Sequence, residues 1–338
     1  MSWMAEEIRE IPARTAAQLA TRGERYAEAG QALARLDPPT LVTCARGSSD
    51  HAAHYLKYLV EMLCGVPVAS LGPSLASVYD APLRLRGIPV LAISQSGGSR
   101  DLAAFVEKAR DVGAPTIALT NTPGSLLALK ADTVLDLAAG PERAVAATKT
   151  FVASLVGAAA LAAAWSGDTA LDDALRSLPE ALERAVAADW SAALDSFDAA
   201  TPLFVVSRGP ALAIAGEIAL KFKETCLVHA EAFSAAEVRH GPMALVDDAF
   251  AAMILHSRDA GHASIAEAEA AMADAGARIL RVASSGLPGA LPSPEAPHPL
   301  LDPICQVAAF YGFVEQLSRR LGHDPDAPRL LKKVTVTL

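Results

Sequence analysis

The sequence predicts an α/β protein of two tandem domains, each a doubly wound parallel sheet in a three-layer αβα sandwich. Three observations carry that expectation. Short apolar runs alternate with longer stretches of helical period, the chain repeats itself once, and 338 residues suit two domains at roughly 100–200 residues each.

The opening MSWMAEEIREIPARTAAQLA has charge throughout and no apolar run long enough for a signal peptide, so residues 1–24 read as an amphipathic helix. The first domain, 25–165, holds apolar runs at Thr40–Cys44, Pro89–Ile93, Thr116–Thr120 and Thr133–Leu137, each followed by enough chain for a helix. Its Ala-rich end, Phe151–Trp165, is shorter than the roughly 20 residues a membrane span needs and predicts a buried helix. Residues 166–197 read as a helical connector, with Pro179 suiting a helix start and Leu182, Val186 and Trp190 recurring every four residues. The second domain, 198–320, carries runs at Leu203–Ser207, Ala251–His256 and Arg278–Ala283. In the tail, 321–338, two prolines break the helix before the closing RLLKKVTVTL.

The repeat is visible in two places. LVTCARGSS around Arg46 matches LFVVSRGPA around Arg208, and DVGAPTIALT from Asp111 matches DAGARILRVA from Asp274. At the same spacing SQSGGSRD, from Ser94, becomes SRDAGHAS, from Ser257, so only the first copy keeps a Ser-Gln-Ser-Gly loop. One site of this type per chain is expected.

Composition narrows the function. Lys and Arg number 29 against 38 Asp and Glu, a net charge of -9, which argues against nucleic acid as a partner. Hydrophobic residues make up 52% and aromatics 5%, so a large core must be built from Ala, Leu and Val, and disorder is ruled out. Four cysteines without a C-x-x-C pair suggest neither a metal knuckle nor a disulfide framework, but reduced thiols in a cytoplasmic protein. No membrane association is expected.

The loop after the Pro89–Ile93 run offers Ser94, Gln95, Ser96 and Ser99 ahead of a helix. Hydroxyls and free N–H groups at a helix start bind anions, and two glycines allow close approach to the backbone, although an ordinary capped turn has the same composition. The turn ARGSSDHAA adds Ser48 and Ser49; Asp50 reads as a first-turn carboxylate. His51 and His54 share a helix face, but no carboxylate-rich motif accompanies them and no metal site is expected. On the helix after Pro210, Glu217, Lys221 and Glu224 share one face. A solvated salt-bridge ladder is the plain reading, yet this helix is otherwise apolar and follows a strand whose end should face a ligand, which suits proton transfer. His240, before Gly241 and Pro242, sits in a turn and is a candidate acid/base.

Taken together, SQSG at Ser94, ATKTF at Ala147, ALKFKE at Ala219, HAEAF, RHGPMAL at Arg239 and the terminal PRLLKKVTV resemble the sugar isomerase (SIS) family. The likeness is to the isomerase half of the glucosamine-6-phosphate synthases and to stand-alone aminosugar-6-phosphate deaminases and isomerases. It implies two SIS domains and a homodimer without cofactor. It also implies that Ser49, Ser94, Gln95, Ser96 and Ser99 bind the sugar phosphate, with Val145 and Thr148 lining the same pocket. Glu224 is then the base between C1 and C2, Lys221 stabilises developing enediolate charge, and His240 opens the sugar ring in the neighbouring subunit's site. Lys332 matches the C-terminal lysine near the carbonyl, with adjacent Lys333 as the alternative.

Two departures from the synthases shape the expectation. Residue 2 is Ser, where the synthases start a glutaminase domain with a nucleophilic Cys, and the chain opens almost at the isomerase half. ARGSSDHA replaces their Cys-Gly-Thr-Ser turn and brings Arg46 near the sugar. Conversion of glucosamine 6-phosphate to fructose 6-phosphate and ammonia is therefore the leading expectation. Aldose–ketose isomerisation, deamination of galactosamine 6-phosphate, and non-catalytic phosphosugar sensing are the alternatives.

Overall fold

A computed structural model describes residues 2–197, 200–284 and 287–333. They divide into two compact units: residues 13–142 with 149–176, 332 and 333, and residues 2–12 with 143–148 and 177–331.

The first unit is built on five parallel strands: β1 (Leu41–Cys44), β2 (Val68–Ser70), β3 (Val90–Ser94), β4 (Thr116–Thr120) and β5 (Thr133–Asp136), in the order β2-β1-β3-β4-β5. β1, β3 and β4 are buried along their whole length, which is why they read as unbroken apolar runs rather than alternating ones. Val42, Val90, Ala92 and Ala118 pack with Leu102, Phe105 and Val106 of α4 (Arg100–Asp111) on one face. α2 (Ser48–Leu63) and α6 (Lys149–Ser166) pack on each other. Two short helices, α3 (Ser74–Ser77) and α5 (Leu126–Lys130), fill the connections. Among the described residues α6 alone is long and apolar enough to cross a membrane, and 89% of it is buried inside the protein.

The second unit repeats the plan. β6 (Leu203–Ser207), β7 (Ala230–Ser234), β8 (Ala251–Leu255), β9 (Arg278–Ala283) and β10 (Leu291–Pro292) are parallel in the order β7-β6-β8-β9-β10, the first sheet's order strand for strand. Phe204, Val206 and Ile254 pack with Ile265, Ala268 and Met272 of α9 (His262–Asp274). α8 (Pro210–Cys226) packs on α10 (Asp302–Arg320), where Phe222, Phe310 and Phe313 stack with Trp190 and Phe197. The duplication read from sequence is thus a duplication of topology.

Three kinds of detail differ from expectation. The first helix, α1 (Trp3–Leu36), runs past residue 24 because Tyr26, Ala29 and Leu33 stay buried at helical spacing. Pro179 lies inside α7 (Thr169–Val186) rather than starting a helix. The buried series Leu171, Leu175, Leu178 and Leu182 passes through it, and that burial outweighs one missing backbone hydrogen bond. Strands β2, β7 and β10 went unrecognised. β2 and β10 have three and two residues, too few to show a period, and β7 carries Glu231 within a charged segment.

Candidate active site

The first unit forms its site at the carboxyl ends of β1 and β3, where the strand order reverses and ligands of such sheets bind. After Ser94 the chain makes a tight loop into α4, held by its own serines: Gly97 N–H donates to Ser94 Oγ at 3.2 Å and Gly98 N–H to Ser96 Oγ at 3.3 Å. The carbonyl of Gln95 accepts from Asn121 N–H at 3.1 Å, and that of Gly97 from Leu127 N–H at 2.9 Å. Gly97 has φ of +60°, and a Cβ there would fall 1.9 Å from Ser125 Oγ, so only glycine lets the loop turn this tightly.

The loop walls a cavity of about 370 Å³ with Arg46, Ser49, Ser94, Gln95, Ser96, Ser99 and Lys333 in its lining. The Arg46 guanidinium donates to Ser99 Oγ and to Asp101 Oδ1, each at 2.7 Å, and Asp101 is buried. Hydroxyls, a helix start and two cations converge on one hollow, an arrangement for an anion. The five residues expected to bind phosphate, and Arg46, expected near the sugar, are brought together in this lining. Of the two lysine alternatives, Lys333 lines the cavity and Lys332 is exposed outside the lining. Lys333 Nζ lies 3.3 Å from Oε2 of Glu142, whose side chain has no exposed surface.

Val145 and Thr148 belong to the segment Arg143–Thr148, counted with the second unit. Val145 N–H donates to the carbonyl of Asp326 at 3.0 Å, and Thr148 is fully buried.

In the second unit α8 follows β6 and places Glu217, Lys221 and Glu224 on one face. This is not a solvated ladder. Glu217 and Lys221 are fully buried, with Lys221 Nζ 3.3 Å from Glu217 Oε1 and 2.5 Å from Glu224 Oε2. Tyr311 of α10 donates to Glu217 Oε1 at 3.0 Å. Burial works against the Lys221 ammonium, but Glu217 and Glu224 more than offset it and hold the amine above its ordinary value. Lys221, almost wholly buried, therefore grips Glu224 from beneath. Glu224 is 22% exposed and borders a cavity of about 200 Å³ walled by His323, Asp324 and Arg329. His240 is exposed in the turn after a single 3-10 turn, Glu237–Arg239, its N–H donating to the carbonyl of Glu237 at 2.9 Å.

A larger cavity, about 700 Å³, lies at the ends of β8 and β9. Its loop matches the Ser94–Ser99 loop in the repeat, but Ser257 Oγ and Gly261 N–H both donate to Asp259 Oδ1 at 2.7 Å. The protein's own carboxylate occupies the donors that an anion would use. This is the physical form of the single retained loop.

Sequence reasoning passed over Glu142 and His323. A lone carboxylate after Gly140-Pro141, ahead of an apolar helix, was the available signal for Glu142; His323 was read only as part of a helix break. Among the described residues no group of three or more His, Cys, Asp or Glu is placed to hold a metal ion.

Comparisons with known proteins agree with this architecture. The SIS domain model matches residues 36–164 and 197–287. The glutamine–fructose-6-phosphate aminotransferase (isomerizing) of Halobacterium salinarum is 35% identical over 325 residues, 88% of this chain and 51% of its own. The chain spans about half the length of the curated relatives it matches. A solved structure from Silicibacter pomeroyi, described as a "putative phosphosugar isomerase", is 42% identical with a TM-score of 0.91, covering 96% of this chain and 100% of its own. The glucosamine-6-phosphate deaminase of Thermotoga maritima shares the fold at 20% identity, with a TM-score of 0.79 over 99% of this chain and 100% of its own.

Proposed function

This chain belongs to the SIS domain family, and we propose that it is a phosphosugar isomerase-type enzyme, specifically a glucosamine-6-phosphate deaminase/isomerase. One observation supports the reading: the cavity of the first unit is lined by serine hydroxyls with Arg46 and Lys333 in its wall, groups that suit a phosphorylated ligand. The phosphate accepts from the Ser49, Ser94, Ser96 and Ser99 hydroxyls and the Gln95 amide; the family pattern also assigns Val145 and Thr148 to ligand binding.

The chemistry then divides among few groups. His240 moves the proton that opens the ring. Glu224 takes the proton from C2 and returns it at C1 or the reverse, and Lys221 keeps this carboxylate oriented. Lys333 stabilises negative charge on the carbonyl oxygen. Water adds to C2 of the resulting imine, ammonia leaves, and fructose 6-phosphate remains, so that substrate and water balance the two products. The exposed His240 loop, with Leu245 64% exposed, supports a homodimer in which His240 completes the neighbouring subunit's site. A reducing cytoplasmic setting is supported by four free cysteines.

Purified protein given glucosamine 6-phosphate should release ammonia and fructose 6-phosphate, and Glu224→Gln should abolish both. No ammonia from either protein would end the deaminase reading. Turnover of a nitrogen-free or galactosamine 6-phosphate would move the reaction to the alternative isomerase or epimer, and binding without turnover would make the chain a sensor.

A further inference from the structure

We propose that Glu142 is a positioning residue that docks the C-terminal tail, holding Lys333 at the wall of the phosphosugar cavity. Its carboxylate is buried and fixed at the start of α6: Oε1 accepts from Thr150 N–H at 3.2 Å, and Oε2 accepts the Thr150 hydroxyl. A helix N-terminus favours negative charge, and a carboxylate held in so little water requires a cation beside it. Lys333, 25% exposed, brings its ammonium to 3.3 Å from Oε2 while its side chain lines the cavity.

The pairing joins positions 191 residues apart. The apolar residues just before it do not anchor the tail: Leu330 is 89% exposed and Leu331 is also exposed. Lys333 itself is fixed by polar contact, its ion pair with Glu142. A lysine side chain has four rotatable carbons, and an ammonium meant to meet developing charge must be kept from wandering through them. Glu142 does this from outside the cavity lining, so it acts through Lys333 and not on the substrate.

Two measurements test this. The first needs no turnover. Acetic anhydride labelling read by mass spectrometry compares Lys333 with its exposed neighbour Lys332 in the same molecule. In the wild type Lys333 should label about fivefold more slowly, as a partly buried ion pair allows, and in Glu142→Gln the two should label alike. Equal labelling in the wild type, or protection unchanged in Glu142→Gln, overturns the proposal. Glu142→Asp, which retains the charge, should restore part of the protection.

The second measurement rests on the functional reading above. Glu142→Gln should lower kcat by about tenfold, and Lys333→Met should cost little further in that background, the non-additivity of two residues acting as a unit. Losses that multiply, at equal melting temperature, overturn it. Absence of turnover in the wild type refutes the functional reading alone, and the labelling still decides the docking.

Discussion

Replacing Gly97 by alanine should damage the phosphate loop, whereas the same change at Gly98 should not. At Gly97 the backbone is left-handed, φ +60°, which costs an L-residue roughly 1–2 kcal/mol. The new Cβ would lie 1.9 Å from Ser125 Oγ and 2.5 Å from Ser125 Cβ, so the whole side chain must move, not its tip. Ser125 caps α5 through the N–H of Ala128, and losing such a cap costs about 1 kcal/mol. The sum is roughly 2–3 kcal/mol for the unit that holds the cavity. A Cβ at Gly98 would meet nothing closer than Ser96 Oγ at 3.6 Å, an ordinary contact. Urea unfolding followed by the fluorescence of the buried Trp165, which lies in this unit, measures the difference. Calorimetric titration with glucosamine 6-phosphate should show binding lost in Gly97→Ala and kept in Gly98→Ala. Equal midpoints and equal affinities would show that the turn geometry does not hold the loop.

The buried charges and thiols give three further tests. Lys221→Met leaves Glu217 buried without its ammonium partner and should lower stability by roughly 3–5 kcal/mol in thermal or urea unfolding; a change within error would mean the pair contributes nothing. The wild type should also lose stability in alkali through this residue. Because Lys221 is held protonated above the ordinary 10.5, its contribution is complete below that pH and declines as pH rises beyond it, and Lys221→Met should lack that part of the decline. Coincident profiles from about pH 10 to 12 would refute the assignment. Burial pushes the Cys44, Cys226 and Cys305 thiols up to about 12 and that of half-buried Cys64 to about 11. Near neutral pH a thiol reagent should therefore label Cys64 first and slowly, and all four only in denaturant; rapid reaction of two or more in the native protein would contradict it.

What could be read from sequence depended on how far apart the relevant residues lie. The central strands are unbroken apolar runs, the Ser94–Ser99 loop is a local cluster, and Glu217, Lys221 and Glu224 share a face at helical spacing, so each is legible within one element. The short edge strands carry too few residues for a period, and Pro179 misled because burial along a whole helix face overrode a local breaker. Solvent access was equally hidden: a Glu-Lys-Glu face looks the same in sequence whether it is hydrated or, as here, closed beneath Tyr311.

By itself the sequence determined the duplicated α/β plan, the single Ser-Gln-Ser-Gly loop and the carboxylate–lysine face, because each follows from neighbours on one strand, loop or helix. The tertiary structure alone decided which tail lysine lines the cavity, what it pairs with, and that donors of the second loop turn to Asp259. Those outcomes turn on contacts such as Lys333 with Glu142, far apart in the chain. Composition and periodicity carry no record of them.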